Sequence, residues 1–166
     1  MGSWFLWARY YNPSRLSFSA PPPTPAVETK ILTGIAPTRL HIASLSIDLP
    51  VIESEIVDDV WGVSSSGVSH LAQSVSPGLP GNSIFYGHNW PRLLGNLRKI
   101  KLDDEIVIFD ASGRSLSYRV TEISTVDPSD VSILESSTEA TITLYTCAGF
   151  MDSKRLVVTS LLQQSL

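Results

Sequence analysis

The chain has 166 residues, of which 43% are hydrophobic, and 12 Lys and Arg against 16 Asp and Glu give a formal net charge of −4. This length and composition predict one globular domain with a sizeable core. The basic residues form no dense cluster, which argues against a nucleic acid partner. One cysteine cannot form an internal disulfide, and together with the three histidines it shows no zinc-ligand spacing. We therefore expect no structural metal.

Residues 1–36 are predicted to form an arm and linker ahead of a folded domain of residues 37–166. The apolar stretch Trp4–Ala8 is far shorter than the roughly 20 residues that span a bilayer, so we expect any membrane anchor to lie outside this chain. The aromatic and basic residues up to Arg15 suit either the border of a membrane segment or a short arm that docks on the domain. Residues 20–26 are rich in proline and predict a stiff spacer, for which we favour a tether over a lid.

From Arg39 onward, short β-rich runs alternate with turn residues. The runs lie at residues 40–48, 51–56, 68–71, 83–88, 105–109, 115–126, 140–147 and 156–161. Leu49-Pro50 is expected to break the first region, and residues 93–100 and 131–135 are expected to form no more than short helices. The pattern predicts a mainly β protein with about eight strands. We prefer a closed barrel to a sandwich because closure removes vulnerable strand edges.

The run Thr141–Cys147 ends on the only cysteine of the chain. A lone cysteine is often a small buried hydrophobe, but one at a strand end is also placed to act as a nucleophile. His88 follows another strand, and Arg155 enters the last one. A thiol, an imidazole that moves protons and a guanidinium that holds an oxyanion are the ingredients of thiol-based acyl transfer. Their spacing alone does not bring them together.

Several segments resemble the sortase family in the same order along the chain. Thr143-Leu144-Tyr145-Thr146-Cys147 matches the signature TLxTC, and Gly81-Asn82-Ser83-Ile84-Phe85-Tyr86-Gly87-His88 matches the family's setting for its histidine. Lys154–Val158 is similar to the start of the final strand, where the family places its arginine. Leu97–Ile106 is similar to Leu-x-x-Leu-x-x-Gly-Asp-x-Ile, with Asp103 where glycine is usual. The resemblance covers roughly residues 38 to 162.

The resemblance implies a sortase-type β-barrel and a cysteine transpeptidase at the bacterial cell surface, anchored to the membrane. Such an enzyme cleaves a sorting motif, commonly Leu-Pro-x-Thr-Gly, through a thioacyl intermediate and transfers the acyl part to an amine. That amine belongs to a peptidoglycan stem peptide or a pilin lysine. Carried over to this sequence, Cys147 is the nucleophile, His88 the general acid and then base, and Arg155 the carbonyl clamp. No cofactor is implied.

Further residues are predicted to bind substrate with less support. Thr146 is expected to line the groove beside the thiol, and the backbone N–H of Ala148 is proposed as a second oxyanion donor from its place after the nucleophile. Tyr145, Trp90 and Trp61 are aromatic candidates for the groove, although aromatic residues in a small barrel are more often core. Asn89, where many sortases have arginine, either shapes the pocket wall or caps a turn, and we favour the turn.

Loop lengths and composition indicate the type of sortase. The short connection after Cys147 and the absence of a long helix between residues 125 and 140 argue against class B. The loop of residues 74–82 has no acidic residue and lacks the ligands of a calcium site. The nearest description is class D or E, or a divergent group.

Two points stay open on the sequence alone. The first is whether an acidic residue orients His88, for which the candidates are Asp110, Asp127, Asp130 and Asp152. Each is more often a turn former, and sortases require no such aspartate. The alternative functions are a peptide-binding barrel without catalysis and a thiol hydrolase that releases an acid.

Overall fold

The computed structural model describes residues 13–18 and 34–163. Its strands are β1 (Pro37–Ile42), β2 (Ile47–Ser54), β3 (Ile56–Val57), β4 (Val60–Trp61), β5 (Val68–Leu71), β6 (Gly81–Gly87), β7 (Glu105–Asp110), β8 (Ser115–Val126), β9 (Ala140–Ala148) and β10 (Lys154–Leu162). Short 3-10 helices lie at Pro13–Leu16, Ala43–Leu45, Gly95–Lys99, Ser132–Leu134 and Phe150–Asp152. No helix of these two ranges is long and apolar enough to span a membrane.

Eight of the described strands form a closed barrel in the order β1-β2-β5-β6-β9-β10-β8-β7, and β7 pairs with β1 to close it. The β2–β5 and β6–β9 pairs are parallel, and the other pairs in the barrel are antiparallel. The predicted mainly β barrel with short helices is confirmed. The parallel β6–β9 pair matters for the site because it brings the ends of two sequence-distant strands to the same rim.

The structure differs from the sequence prediction around β2. The predicted run of residues 40–48 is interrupted by the 3-10 helix Ala43–Leu45 and is divided between β1 and β2. Pro50 does not break the chain but lies inside β2, where it pairs with Arg39, and the ladder to β5 begins only at Val51. The proline therefore lies where β2 changes partners, a position at which a missing N–H costs little. A further difference is the small β3–β4 sheet, which begins at the end of the predicted run 51–56 and was not predicted as a separate strand pair.

The predicted runs 105–109 and 115–126 are strands β7 and β8, which form an antiparallel hairpin, and aspartates shape its ends. Asp110 Oδ1 accepts hydrogen bonds from the backbone N–H groups of Ser112 and Arg114 and so holds the tight turn. Asp103, before β7, has φ 69°, a left-handed conformation that glycine adopts without steric cost. This conformation gives a physical reason for the glycine that is usual at this place.

Strand β9 is central because it lies between β6 and β10 and is buried on both faces. Ile142 and Leu144 join the barrel core, whereas Tyr145 and Cys147 belong to a second apolar cluster. Alternation along the strand thus separates the residues that stabilise the barrel from those that reach the site. The second cluster also contains Leu16 and Phe18 of the N-terminal arm.

Candidate active site

Strand register places the three predicted catalytic residues on neighbouring strands. Gly87 of β6 pairs with Thr146 of β9, so His88, which follows β6, and Cys147, which lies near the end of β9, are at the same level. Arg155 of β10 pairs directly with Cys147. Residues that are far apart in the sequence are therefore adjacent at one rim of the barrel.

The strand ends are fixed by the hydroxyl of Thr146. This buried hydroxyl donates a hydrogen bond to the carbonyl of Gly87 across the β6–β9 pair, at 2.7 Å. This bond links the residue before His88 to the residue before Cys147, in addition to the backbone ladder of the two strands. The predicted place of Thr146 in a substrate groove stays a prediction. The predicted oxyanion contact of the Ala148 N–H also stays a prediction; Ala148 pairs with Lys154 at the end of the β9–β10 ladder.

The backbone of the N-terminal arm, residues 15–18, lies against the thiol and the guanidinium. Cys147 Sγ donates to the Arg15 carbonyl oxygen at 3.4 Å, and Arg155 Nη2 donates to the same oxygen at 2.7 Å. Arg155 Nη2 also reaches the carbonyl of Ser17 at 3.3 Å. Because the arm covers the rim, Cys147 is only 2% exposed. A peptide carbonyl of the chain itself thus occupies the point between the predicted nucleophile and its clamp.

Aromatic side chains hold the rest of the arm. The Phe18 ring packs edge-on against Tyr145, with ring centroids 5.0 Å apart, and lies 5.8 Å from the ring of Trp61. The Tyr145 hydroxyl donates to the Leu16 carbonyl at 3.0 Å, and the backbone N–H of Trp61 donates to the Ser17 hydroxyl. Tyr145 and Trp61 are fully buried in this cluster. The arm is therefore anchored by both apolar packing and hydrogen bonds.

The Arg15 side chain enters a polar pocket beside the histidine. Its guanidinium donates to the side-chain oxygen of Asn89 at 3.0 Å and to Asp152 Oδ2 at 2.5 Å. Asn89 Nδ2 in turn donates to Asp152 Oδ1 at 3.0 Å and to the carbonyl of Cys147 at 3.1 Å. The side chain of Asn89 thus forms part of the pocket wall, the alternative that we favoured less.

The four candidate aspartates separate into different roles. Asp110 holds the β7–β8 turn, Asp130 accepts from the backbone and hydroxyl of Ser132, and Asp127 pairs with Lys154 at the surface. Asp152 alone of the four has its carboxylate in the site pocket. Nδ1 of His88 has no hydrogen-bond partner among residues 13–18 and 34–163, so none of these aspartates orients the ring directly.

An aromatic neighbour orients His88 instead. The imidazole stacks on the ring of Trp90 with centroids 4.2 Å apart and an interplanar angle of 3°. The Arg92 guanidinium lies over the Trp90 ring at 5.0 Å. Stacking against a large buried ring restricts the imidazole to one plane.

Burial and charge set the protonation states at the rim. Burial is the main reason that the pKa of His88 is lowered to about 4; the positive charges of Arg15 and Arg92 contribute to this lowering, and the Asp152 carboxylate opposes it. Burial also raises the pKa of the Cys147 thiol, and the charges of Arg155 and Arg15 offset part of this rise. With the arm in place, both groups are therefore uncharged at neutral pH.

The geometry agrees with the comparison to known families. The family model described as the sortase domain matches residues 40–163, which is most of the chain. The chain belongs to the sortase family. Sortase A of Listeria monocytogenes is 36% identical to this sortase over 70 residues, a match that covers 40% of the chain and only 31% of that protein.

Solved sortase structures share the barrel. Sortase C2 of pilus island 1 from group B Streptococcus is 28% identical, with a TM-score of 0.66, and the match covers 76% of this chain and 73% of that one. Sortase C-1 of Actinomyces oris is 27% identical, with a TM-score of 0.66 and coverage of 77% and 74%. A sortase D5 of Clostridium perfringens shares the fold at 23% identity, with a TM-score of 0.66 and coverage of 78% and 79%.

Sequence reasoning missed the contacts of residues 15–18 with the site of this sortase. The available signal was the aromatic and basic composition of the arm, which suited a docked arm as well as a membrane border. The proline-rich segment of residues 20–26 lies outside the described residues, so its predicted role as a tether stays a prediction. The decisive contacts use backbone carbonyls, which no residue type reveals in advance.

Proposed function

We propose that this sortase cleaves a short sorting motif, similar to Leu-Pro-x-Thr-Gly, and transfers the acyl part to an amine. Cys147 is the nucleophile, His88 moves the protons, and Arg155 clamps the reacting carbonyl. One observation supports this proposal above all others: the Arg15 carbonyl oxygen lies within hydrogen-bond distance of both Cys147 Sγ and Arg155 Nη2. The site therefore accepts a peptide carbonyl at the place where thiolate attack requires one.

Attack at such a carbonyl moves negative charge onto its oxygen. A guanidinium held at 2.7 Å from that oxygen, and fixed by further bonds to the backbone carbonyls of Asp152 and Lys154, stabilises the developing charge without rearrangement. The Arg155 side chain is buried, which strengthens the interaction relative to water. This arrangement supports Arg155 as an oxyanion clamp.

The sequence of the arm supports a motif of this kind. When Arg15 takes the place of the Thr whose carbonyl is attacked, Pro13 stands two residues before it, as the proline does in Leu-Pro-x-Thr-Gly. Leu16 then takes the place of the glycine, whose α-amine is the leaving group. The arm resembles a substrate in its register, and a real substrate must displace it before it reaches Cys147.

Proton transfer completes the reaction. Displacement of the arm opens the rim and removes the Arg15 charge, so two causes of the lowered His88 pKa are weakened or lost. His88 then takes the thiol proton, gives it to the amine that leaves, and takes a proton from the amine that arrives. A bell-shaped pH profile follows, because the thiolate and the protonated imidazole are required together.

The family resemblance supplies the biological setting of this proposal. The acyl donors are sorting signals of surface proteins, and the acceptor is an amine of a peptidoglycan stem peptide or a pilin lysine. The enzyme works on the outer side of the membrane of a bacterial cell, to which it is anchored. The product distinguishes transfer to an amine from hydrolysis, because a hydrolase releases only the free acid.

A peptide-library screen with mass readout tests the function. The protein is incubated with Leu-Pro-x-Thr-Gly variants and an excess of a primary amine, and we expect new amide products that disappear in Cys147→Ala. Free acid without amide would indicate a thiol hydrolase. Peptide binding without any product, unaffected by alkylation of Cys147, would indicate a binding barrel and contradict the proposal.

A further inference from the structure

The pocket that holds the Arg15 guanidinium is built for a cation. Asp152 supplies a carboxylate whose side chain is only 20% exposed, and Asn89 supplies a second oxygen. We infer that, once the arm has left, this pocket binds the positively charged amine acceptor before it attacks the thioacyl enzyme. The inference rests on the proposed transpeptidation. It assigns Asp152 and Asn89 to the second step, in which the amine attacks the thioacyl enzyme.

The pocket is tied to the reacting groups by the protein backbone. Asn89 directly follows His88, and its Nδ2 donates to the carbonyl of Cys147 as well as to Asp152. The pocket wall is therefore continuous with both the base and the nucleophile. A cation held there lies next to the imidazole that must receive its proton.

The loop that carries Asp152 holds an unusual conformation. Met151 and Asp152 both have positive φ, 52° and 60°, and such non-glycine residues cost about 1–3 kcal/mol each in this region. Asn89 then fixes one carboxylate oxygen and leaves the other to face the guanidinium. The loop thus directs a carboxylate oxygen of Asp152 toward the rim. Formation of a turn alone does not require this orientation.

Loss of Arg15 leaves the carboxylate with one fewer partner. Of the described hydrogen bonds to this carboxylate, only that from Asn89 remains, and a half-buried carboxylate favours a nearby positive charge. A lysine ammonium has three donors and can contact both Asp152 and Asn89. Two sources of such a cation are possible, the acceptor and a basic side chain of the sorting motif. The acceptor is favoured because only it must lose a proton beside His88.

The step itself balances without any added reagent. The ammonium bound at Asp152 gives one proton to His88, and the nitrogen lone pair attacks the thioacyl carbon. The C–N bond forms while the C–S bond breaks, and the electron pair of the broken bond stays on Cys147 as a thiolate. Asp152 takes no part in bond making and acts as an acceptor-binding residue.

Competition between two nucleophiles isolates this role. The full chain is acylated with a Leu-Pro-x-Thr-Gly peptide in the presence of Nα-acetyl-lysine amide, which is cationic, and hydroxylamine, which is neutral at neutral pH. The ratio of amide to hydroxamate, measured by mass spectrometry, depends only on events after acylation. Changes in arm docking or in the rate of acylation therefore do not affect it.

We expect Asp152→Asn to lower the ratio of amide to hydroxamate by about tenfold, the value of one charge-assisted contact. Asp152→Glu, which keeps the charge, should retain most of the wild-type ratio. Asp127→Asn is the matched control, because Asp127 pairs with Lys154 at the surface, and it should leave the ratio unchanged. A ratio that Asp152→Asn leaves unchanged would overturn the inference.

Two further outcomes are distinct. If Asp152→Asn leaves the ratio unchanged but slows acylation only by peptides with Lys in place of Thr, the pocket binds the motif and the acceptor assignment is wrong. If the wild-type protein forms neither amide nor hydroxamate with any peptide, the proposed function itself fails. The second result is seen without any variant, so the two failures cannot be confused.

Discussion

Arg155 makes contacts that only a guanidinium can make at one time. Its two terminal nitrogens donate to four backbone carbonyls, those of Arg15, Ser17, Asp152 and Lys154. A lysine ammonium is a single point of charge and cannot reproduce this fork. The residue therefore needs its shape as well as its charge.

We expect Arg155→Lys to keep the fold and to lower kcat/KM for peptide cleavage by about 100-fold, as for the loss of one oxyanion donor. Initial rates with a Leu-Pro-x-Thr-Gly peptide measure the loss, and thermal melting reports on the fold. Arg119→Lys is the matched control, because Arg119 is exposed on β8 and contacts Gln163 and Asp103. An Arg155→Lys enzyme as active as the wild type would contradict the clamp.

The pKa of His88 indicates whether the arm is docked, because the docked arm places the Arg15 charge near the imidazole. In the docked protein, burial and the Arg15 charge favour the neutral imidazole, so we expect titration near the lowered pKa of about 4. Arg15→Ala removes one positive charge and loosens the cover, and both changes favour the protonated form. The pKa of His88 should therefore rise in this variant. NMR titration of the imidazole measures the shift, and a lower or unchanged pKa would contradict the assignment of its causes.

At the scale of elements, the ring of Phe18 supplies aromatic contacts that hold the arm against the barrel. Phe18→Ala removes its contacts with Trp61 and Tyr145 and should weaken docking by about 3 kcal/mol. We expect alkylation of Cys147 by iodoacetamide to accelerate at least about tenfold, because the thiol becomes exposed and its pKa falls as burial is relieved. Leu102→Ala, at an exposed position, is the matched control. Equal alkylation rates in all three proteins would show that the arm does not cover the thiol.

The turn before β7 offers a second test at this scale. Asp103 has φ 69°, and its ion pair with Arg119 is an exposed contact of 3.7 Å that contributes little. Asp103→Gly removes the steric cost of the left-handed conformation, although the unfolded chain gains freedom. We expect a net stabilisation of up to about 1 kcal/mol in denaturant unfolding. A clear destabilisation would mean that the carboxylate matters more than the backbone.

The elements differ in how far the sequence predicted them. Strands β7, β8 and β9 were predictable because each is rich in β-branched and apolar residues and is flanked by turn residues that mark its ends. The strand β2 was split wrongly at Pro50, because proline within a strand is tolerated only where the ladder changes partners, and that depends on the neighbours. The two-residue strands β3 and β4 are too short to carry a pattern.

At the scale of the whole molecule, the site depends on contacts between distant parts of the chain. Motifs of the sortase family predicted which three residues meet, and the register of β6, β9 and β10 agrees with that prediction. The arm contacts join residues 129 to 140 positions apart through backbone carbonyls. Neither periodicity nor a residue motif predicts such contacts. The structure was therefore needed to decide that the arm docks at the site and that Asn89 lines the pocket.

The central claim is that Cys147 attacks the carbonyl that Arg155 holds, as the position of the Arg15 carbonyl suggests. Intact-mass spectrometry of the full chain, quenched in acid during turnover of a Leu-Pro-x-Thr-Gly peptide without added amine, tests it most directly. We predict a mass increase equal to the acyl part up to Thr, mapped by digestion to the peptide that contains Cys147 and absent in Cys147→Ala. An adduct that persists in Cys147→Ala, or product formation by that variant at the wild-type rate, would contradict the account.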